Sequence, residues 1–441
     1  MTVMLAAMSL PAYAQDDQSG DRPNFVFIMI DDLGYGDVGC YGSTVSSTPH
    51  IDELANSGML FTDFHSNGPM CSPTRASLMT GLYQYRFGEK FDRALGPGDD
   101  GLPLQAVTIA EALKKQGYAT AIFGKWHLGD DPEFSPVHQG FDEFVGLVSG
   151  DGDHFTHIDR QGEKDWWHND QLQMDAGYTT DLITDQSIRF IQKHKNEPFF
   201  LYVSHLAIHF PWQGPEDPPQ RKEGVDYKDD KWGIIPDRNN VSPHVKAMIE
   251  AVDGSIEKIM AAIDEAGIAN NTLVIFTSDN GGYTHYADNF FNISSNAPLR
   301  GQKTEIYEGG HRVPFIAVWP GKIPAGTTSD ELAMSMDILP TFMELVQTGN
   351  DEKLPSDGRS IVSSLLNAQS LPERIVFWKI GDSMAVRSGK WKLCVVDGGP
   401  PELYDLSVDI GETTNLASAH PQKAQQLLKA YENWKSDLEL N

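Results

Sequence analysis

The chain has 441 residues, enough to bury a large core and to divide into a major and a minor domain. Its 62 acidic against 34 basic side chains give a formal charge of −28, which argues against nucleic acid or an anionic membrane as partner, because both demand a broad basic surface. With 40 glycines, 26 prolines and 10% aromatic residues, it suits a loop-rich α/β enzyme rather than a disordered or repetitive chain.

Residues 1–14 are apolar and end in Ala12-Tyr13-Ala14, the small-x-small pattern of a signal-peptidase site, ahead of polar Gln15-Asp16-Asp17. The segment reads as a signal peptide, although no Lys or Arg precedes the apolar run. No later stretch reaches about 18 uncharged apolar residues. The expectation is an exported protein, periplasmic or secreted, with no membrane insertion.

Residues 25–30 are continuously apolar, as expected of a strand buried on both faces of a largely parallel sheet, and the run stops at Asp31-Asp32. Residues 108–115 predict a helix, and 119–123 a strand that delivers Gly124-Lys125-Trp126-His127. Another strand at 199–203 feeds His205 and the segment Leu206-Ala207-Ile208-His209-Phe210-Pro211-Trp212. Val245, Ile249, Val252, Ile256, Ile259 and Ile263 form a helical stripe over 245–266, closed by Gly267. The strand predicted next, 272–276, ends in Thr277-Ser278-Asp279-Asn280-Gly281-Gly282. In an alternating α/β sheet, ligands bind beyond the carboxyl ends of the strands, and the candidate polar groups fall there.

Beyond about residue 345 a polar linker, 348–353, precedes strand-like pieces at 374–378, 384–387 and 391–396. A final amphipathic helix follows, built on Leu427, Leu428, Tyr431, Trp434 and Leu438. The expected division is a catalytic domain over 21–345 and a C-terminal subdomain over 346–441.

Most cysteines are small buried hydrophobes, but Cys71 opens Cys71-Ser72-Pro73-Thr74-Arg75 and is followed by Thr80-Gly81. This Cys-x-Pro-x-Arg run with its downstream Thr-Gly resembles the signature of the type I, formylglycine-dependent sulfatases. In appearance the chain is nearest to bacterial polysaccharide sulfatases and to N-acetylgalactosamine-6-sulfatase and arylsulfatase-like enzymes. The likeness extends to Gly124-Lys125-Trp126-His127-Leu128-Gly129, to Leu299-Arg300-Gly301-Gln302-Lys303 with Glu308-Gly309-Gly310-His311-Arg312-Val313-Pro314, and to the tail around 401–416. Gln302 replaces the family's second glycine. The resemblance implies an alkaline-phosphatase-like α/β fold: a large mixed, mostly parallel sheet between helices, plus a smaller C-terminal α+β domain with an antiparallel sheet.

It also implies roles. Cys71 would be oxidised to formylglycine (3-oxoalanine) by a formylglycine-generating enzyme, which reads Pro73 and Arg75. Asp31, Asp32, Asp279 and Asn280 offer the oxygen ligands that favour Ca²⁺ or Mg²⁺; by resemblance they bind one divalent cation, usually calcium, that also touches the converted Cys71. Arg75 would hold the converted side chain and steady its helix. Lys125 and Lys303 would clamp sulfate oxygens, His127 would serve the formylglycine hydrate, and His209 would protonate the leaving alcohol. The reaction implied is a double displacement at sulfur. His205 has no family counterpart and reads either as pocket wall or as a residue that supports the reacting groups from behind.

The segment from Ser149 to Asp170 reads as a specificity loop, with Asp153, His154, His157, Arg160, Trp166, Trp167 and His168 as candidate substrate-binding residues and His311 as a further one. An acidic chain acts on a polyanion only by concentrating Lys, Arg, His and a cation in one cleft. The expected substrate is a sulfated polysaccharide or its oligosaccharides, such as carrageenan or a glycosaminoglycan. The alternatives are a phosphodiesterase or phosphonate hydrolase of the same superfamily, whose two-metal members need a second Asp/His set, and a non-catalytic carbohydrate-binding homologue. Three cysteines are too few for a disulfide framework, and pairing of Cys40 with Cys394 is left open by the sequence.

Overall fold

The computed structural model of the protein describes residues 22–227, 240–287, 290–346 and 354–440. The proposed signal peptide and the linker at 348–353 lie outside them.

A ten-stranded mixed sheet organises the chain. Its strands are β1 (Asn24–Ile30), β2 (Met59–Phe61), β3 (Ala119–Lys125), β4 (Glu143–Leu147), β5 (Trp167–His168), β6 (Gln171–Leu172), β7 (Phe199–His205), β8 (Thr272–Ser278), β9 (Phe315–Val318) and β10 (Thr327–Ser329), in the order β10-β2-β9-β8-β1-β7-β3-β4-β5-β6. The five central strands β8, β1, β7, β3 and β4 are parallel, and β9 runs antiparallel to β8 and β2. β1, β7 and β8 are buried at every position. Both faces are covered, which is why these strands read as unbroken apolar runs. Val26, Ile28 and Ile30 belong to one core, with helices α2 (Thr179–His194) and α3 (Ser242–Glu265); Phe25, Phe27 and Met29 belong to the other.

Local sequence accounts for the element ends. Thr108 caps the helix Ile109–Lys115 in a reciprocal box with Glu111. Gly267, at φ +71°, follows α3 in the left-handed conformation that ends helices. β3 runs two residues further than its apolar run, through Lys125. Gly124 permits this: at φ +112° a Cβ there would lie 1.8 Å from the Ser204 carbonyl.

A four-stranded antiparallel sheet, β11 (Ile375–Ile380), β12 (Ser383–Ser388), β13 (Trp391–Val395) and β14 (Glu402–Asp405), forms the C-terminal part, with the helix Pro421–Leu440 against it. β14 falls on the tail motif, which periodicity alone does not mark as a strand. An ionic seam joins this sheet to the large one. Lys392 of β13, fully buried, lies 2.9 Å from both Glu308 and Glu412, and 3.2 Å from His311 Nε2. Arg387 of β12 grips Asp63 through two bonds of 2.6 Å, and Asp63 accepts from His65 at 2.8 Å. Each buried charge meets its opposite, the condition under which burial is tolerated. Cys40, Cys71 and Cys394 are all free thiols.

Candidate active site

The parallel register places the polar groups side by side. Ile30 lies opposite His205 on one side and Ser278 on the other, so Asp31 and Asp279 leave the sheet at the same edge, with Lys125 at the end of β3. Asp32 (φ +64°) and His127 (φ +57°) adopt left-handed backbone conformations. Such conformations cost of order 1–3 kcal/mol for non-glycine residues and persist where the surroundings hold them, commonly at functional sites.

Cys71 is the first residue of helix α1 (Cys71–Thr80). Its side chain is 1% exposed. The thiol donates to Asp31 Oδ1 at 3.3 Å, and Lys303 Nζ donates to Sγ at the same distance. Burial, then Asp279 and Asp31, push the thiol far up, so the unmodified sulfur stays protonated.

Three carboxylates and three cations share this floor. Lys125 donates to Asp31 at 2.5 Å and Lys303 to Asp32 at 2.6 Å, while Arg75 grips Asp279 at 2.9 and 3.1 Å. Burial, then the charge of Asp279, raises Asp31 above the usual carboxylate range. Burial also opposes the charge of Asp279, but Arg75, Lys125 and Lys303 outweigh it and hold that group low. Asp31, Asp32, Cys71 and His209 present ligand atoms within 4.8 Å of one another. Asn280 donates to Asp32 at 2.8 Å, leaving its own Oδ1 buried without a partner. A spare buried amide oxygen beside convergent carboxylates fits a hard divalent cation.

The histidines take definite tautomers. His127 Nε2 faces the Leu95 carbonyl at 2.9 Å, so it carries the proton and Nδ1 remains a buried, unpartnered acceptor. His209 Nδ1 faces the Phe210 carbonyl at 2.9 Å, which leaves Nε2 bare, 3.9 Å from Asp32. Burial and the nearby lysines hold both rings well below the usual imidazole range. His205 bonds Ser255 of α3 at 3.1 Å, and burial lowers it to about 3.

A pocket of about 260 Å³ opens above Cys71, His127, His209 and Lys303, walled by Leu95, Asp130, Ser149, Gly150, Arg160, Phe210, Tyr283 and Tyr286 among others. Of the eight residues expected to bind substrate, only Arg160 lines it. The other seven lie outside this lining and have contacts elsewhere in the fold. Asp153 accepts from the backbone of Phe155, Thr156, Gln220 and Arg221 and fastens its own loop. His157 stacks on Trp166 and His154 on Tyr178, Trp166 and His168 share Asp175, and Trp167 bonds Asp165. His311 is buried in the ionic seam, stacked on Trp378. Arg75 is also turned differently: besides Asp279 its hydrogen bonds run to the Lys125 carbonyl, Ser204 and Tyr202, tying α1 to three strands rather than gripping Cys71. Tyr283 and Asp130 went unrecognised as pocket residues, though each stands one to three positions beyond a motif. Among the described residues the second His/acid cluster, His65, Glu308 and His311, lies among Arg312, Arg387 and Lys392. Those cations already answer its charge, so it offers no second metal set.

Comparison with known proteins agrees with this geometry. The profile of the family described as Sulfatase matches residues 23–348. Human arylsulfatase A is 33% identical over 478 aligned positions, covering 92% of this chain and 88% of that protein. An N-acetylgalactosamine-6-O-sulfatase of Bacteroides thetaiotaomicron is 29% identical, covering 98% and 97%. The crystal structure of Ps i-CgsB in complex with k-i-k-neocarrahexaose superposes with a TM-score of 0.82 at 29% identity, over 94% of this chain and 93% of that one.

Proposed function

Because this chain belongs to the sulfatase family and hydrolyses sulfate esters, we propose that its substrate is a sulfated carbohydrate, that Cys71 acts after conversion to formylglycine by a formylglycine-generating enzyme, and that calcium is the resident cation. The observation that carries this reading is Cys71 at the first turn of α1, on the floor of the pocket, between Lys303 and Asp31. A carbohydrate is favoured by the named substrate of the Bacteroides relative and the neocarrahexaose bound to Ps i-CgsB. The wall supports it too, since Phe210, Tyr283 and Tyr286 stand among Asp130, Ser149, Arg160 and Gln161, an alternation suited to the apolar faces and hydroxyl edges of a sugar ring. A sulfated polysaccharide or its oligosaccharides, of the carrageenan or glycosaminoglycan kind, met outside the cytoplasm, fits this wall.

Formylglycine hydrate would supply one hydroxyl to attack sulfur and a second whose deprotonation restores the aldehyde and frees sulfate. A calcium ion held by Asp31, Asp32 and Asn280, with Asp279 beside them, would supply positive charge at the sulfate oxygens. Once those carboxylates are engaged, Lys125 and Lys303 are the ammonium groups left to face the sulfate, where preorganised charge stabilises the transition state most. His127 offers Nδ1 as the acceptor for a hydroxyl proton. His209 becomes a donor at Nε2 only as imidazolium, a state that the anionic ester favours and the two lysines oppose. Arg75 positions α1 against the sheet edge. No helix among the described residues is long and apolar enough to cross a membrane.

The test is co-expression with a formylglycine-generating enzyme, with peptide mass spectrometry of residue 71 and kinetics on sulfated sugars. Turnover is expected only in converted protein, lost in Cys71→Ala, reduced by chelation and restored by Ca²⁺. Full activity with an intact thiol at position 71 would overturn the reading.

A further inference from the structure

Two carboxylates line the pocket that the chemistry above leaves unused, Asp130 and Asp151, and among the described residues only Asp151 is paired. Asp130 lines the wall with Ser149, Gly150, Asp151 and Arg160, three residues beyond His127. The neighbouring carboxylates are answered: Asp151 accepts from Arg160 at 2.5 and 3.0 Å and from Arg221 at 3.2 Å, and Asp99 pairs with Arg93 at 2.7 Å. Asp165 accepts from the Val148 and Ser149 backbone and from Trp167. Asp159 accepts from the Gln161 and Glu163 backbone. No donor among the described residues takes up Asp130; burial first, then Asp165, Asp159, Asp131 and Asp99, raise it to about 7.

Resting on the carbohydrate reading, we propose that Asp130 is a specificity-determining residue, whose carboxylate accepts a hydrogen bond from a free hydroxyl on the sugar ring that bears the reacting sulfate, and which repels a second anionic group at that position. Two facts select a hydroxyl over the other partners a carboxylate takes. The cation on the same wall, Arg160, lies 5.3 Å over the Phe210 ring and is engaged by Asp151. A second sulfate or a uronate carboxylate would add negative charge beside a carboxylate on which Asp165, Asp159, Asp131 and Asp99 already bear. A neutral O–H supplies the missing donor without adding charge. The cleft is thus divided: Lys125 and Lys303 at its floor take one sulfate, and the Asp130 wall reads a neutral ring edge. The predicted substrate class is a ring carrying one sulfate with a free hydroxyl on its flank, rather than a disulfated ring.

The experiment uses converted enzyme, wild type and Asp130→Asn, on three probes: the best-hydrolysed sugar from galactose 2-, 4- and 6-sulfate and N-acetylgalactosamine 6-sulfate, its disulfated counterpart, and p-nitrophenyl sulfate, which has no ring hydroxyl. Wild type should prefer the monosulfate to the disulfate. Asp130→Asn should lose roughly 10- to 100-fold in kcat/KM on the monosulfate, the worth of a hydrogen bond to a charged group, with a smaller loss on the aryl ester and a narrower gap to the disulfate. Binding of the monosulfate to Cys71→Ala protein, with and without Asp130→Asn, measured calorimetrically, should weaken in parallel. Removing an unpaired carboxylate should leave the unfolding temperature unchanged or higher, so a folding defect is recognisable. Equal losses on sugar and aryl esters, no loss on either, or a wild-type preference for the disulfate would each overturn the assignment. Wild type that cleaves the aryl ester and no sugar sulfate would instead overturn the carbohydrate reading itself.

Discussion

The two histidines of the pocket differ in which nitrogen they leave open. His127 presents Nδ1 and His209 presents Nε2, because each donates its other N–H to a backbone carbonyl. If His209 protonates the departing alcohol, His209→Ala should slow a sugar sulfate by about 10²–10⁴-fold, the usual worth of general acid help, and an aryl sulfate far less, since a phenolate leaves unaided. His127→Ala should slow both. Parallel kinetics on the two esters decide it, and equal losses for His209→Ala would remove that residue from the leaving-group side. At this scale much of the site was legible: Asp31, Lys125, His127 and Asp279 stand directly after apolar strand runs, where sheet geometry must gather them. Tyr283 and Asp130 escaped because a residue just past a motif carries no periodic mark, and only the folded loops show which of them turns inward.

Among the elements, the strands were readable wherever both faces are buried, since burial leaves an unbroken apolar record. β14 and the pocket-lining loop at 94–97 left none. Within the segment 149–170, Ser149, Gly150, Asp151, Arg160 and Gln161 line the pocket, while aromatic and histidine rings that look like a sugar platform stack on one another or bond Asp175. The ionic seam illustrates what an element-to-element contact costs to disturb. Lys392 of β13 sits between Glu308 and Glu412, all three buried. Lys392→Met strands two carboxylates and should destabilise the protein by roughly 3–5 kcal/mol. The double variant Lys392→Met/Glu412→Gln should lose less than the sum of the single losses, as coupled partners do. Chemical denaturation of the four proteins measures this; strict additivity would show that the charges do not act together.

For the whole molecule, the sign of its pH dependence follows from carboxylates held low in the folded state. Burial opposes the charge of Asp63, but Arg387 and Arg312 outweigh it and hold the group well below its usual 3.8. Asp151 behaves alike, burial being outweighed by Arg221 and Arg160, and Glu308 is lowered against burial chiefly by Lys392. A folded value below the unfolded one means stability that is complete above the unfolded value and is lost as pH falls toward the folded one. The unfolding temperature should therefore hold or rise from pH 7 to about 5, where Asp31 and Asp130, held high, take up protons in the folded state, and fall steeply below about 4. Calorimetry across that range tests it, and an unfolding temperature flat down to pH 3 would contradict it. The net charge of −28 acts in the opposite sense, since self-repulsion eases on acidification, so a steep acid loss would have to come from these pairs.

Every residue of α1 from Cys71 to Thr80 is buried, Arg75 among them with its guanidinium engaged by Asp279, Ser204 and the Lys125 carbonyl. An enzyme that reads Cys-x-Pro-x-Arg cannot reach that run once the sheet has closed around it. If Cys71 is converted as proposed, modification and folding would compete in time, and the share of chains that become active would be decided by which finishes first. On that proposal, protein that folds before it is oxidised would stay idle. Incubating such protein with a formylglycine-generating enzyme should convert none of it, while the same treatment of a peptide spanning 69–81, or of the chain unfolded and then released, should succeed.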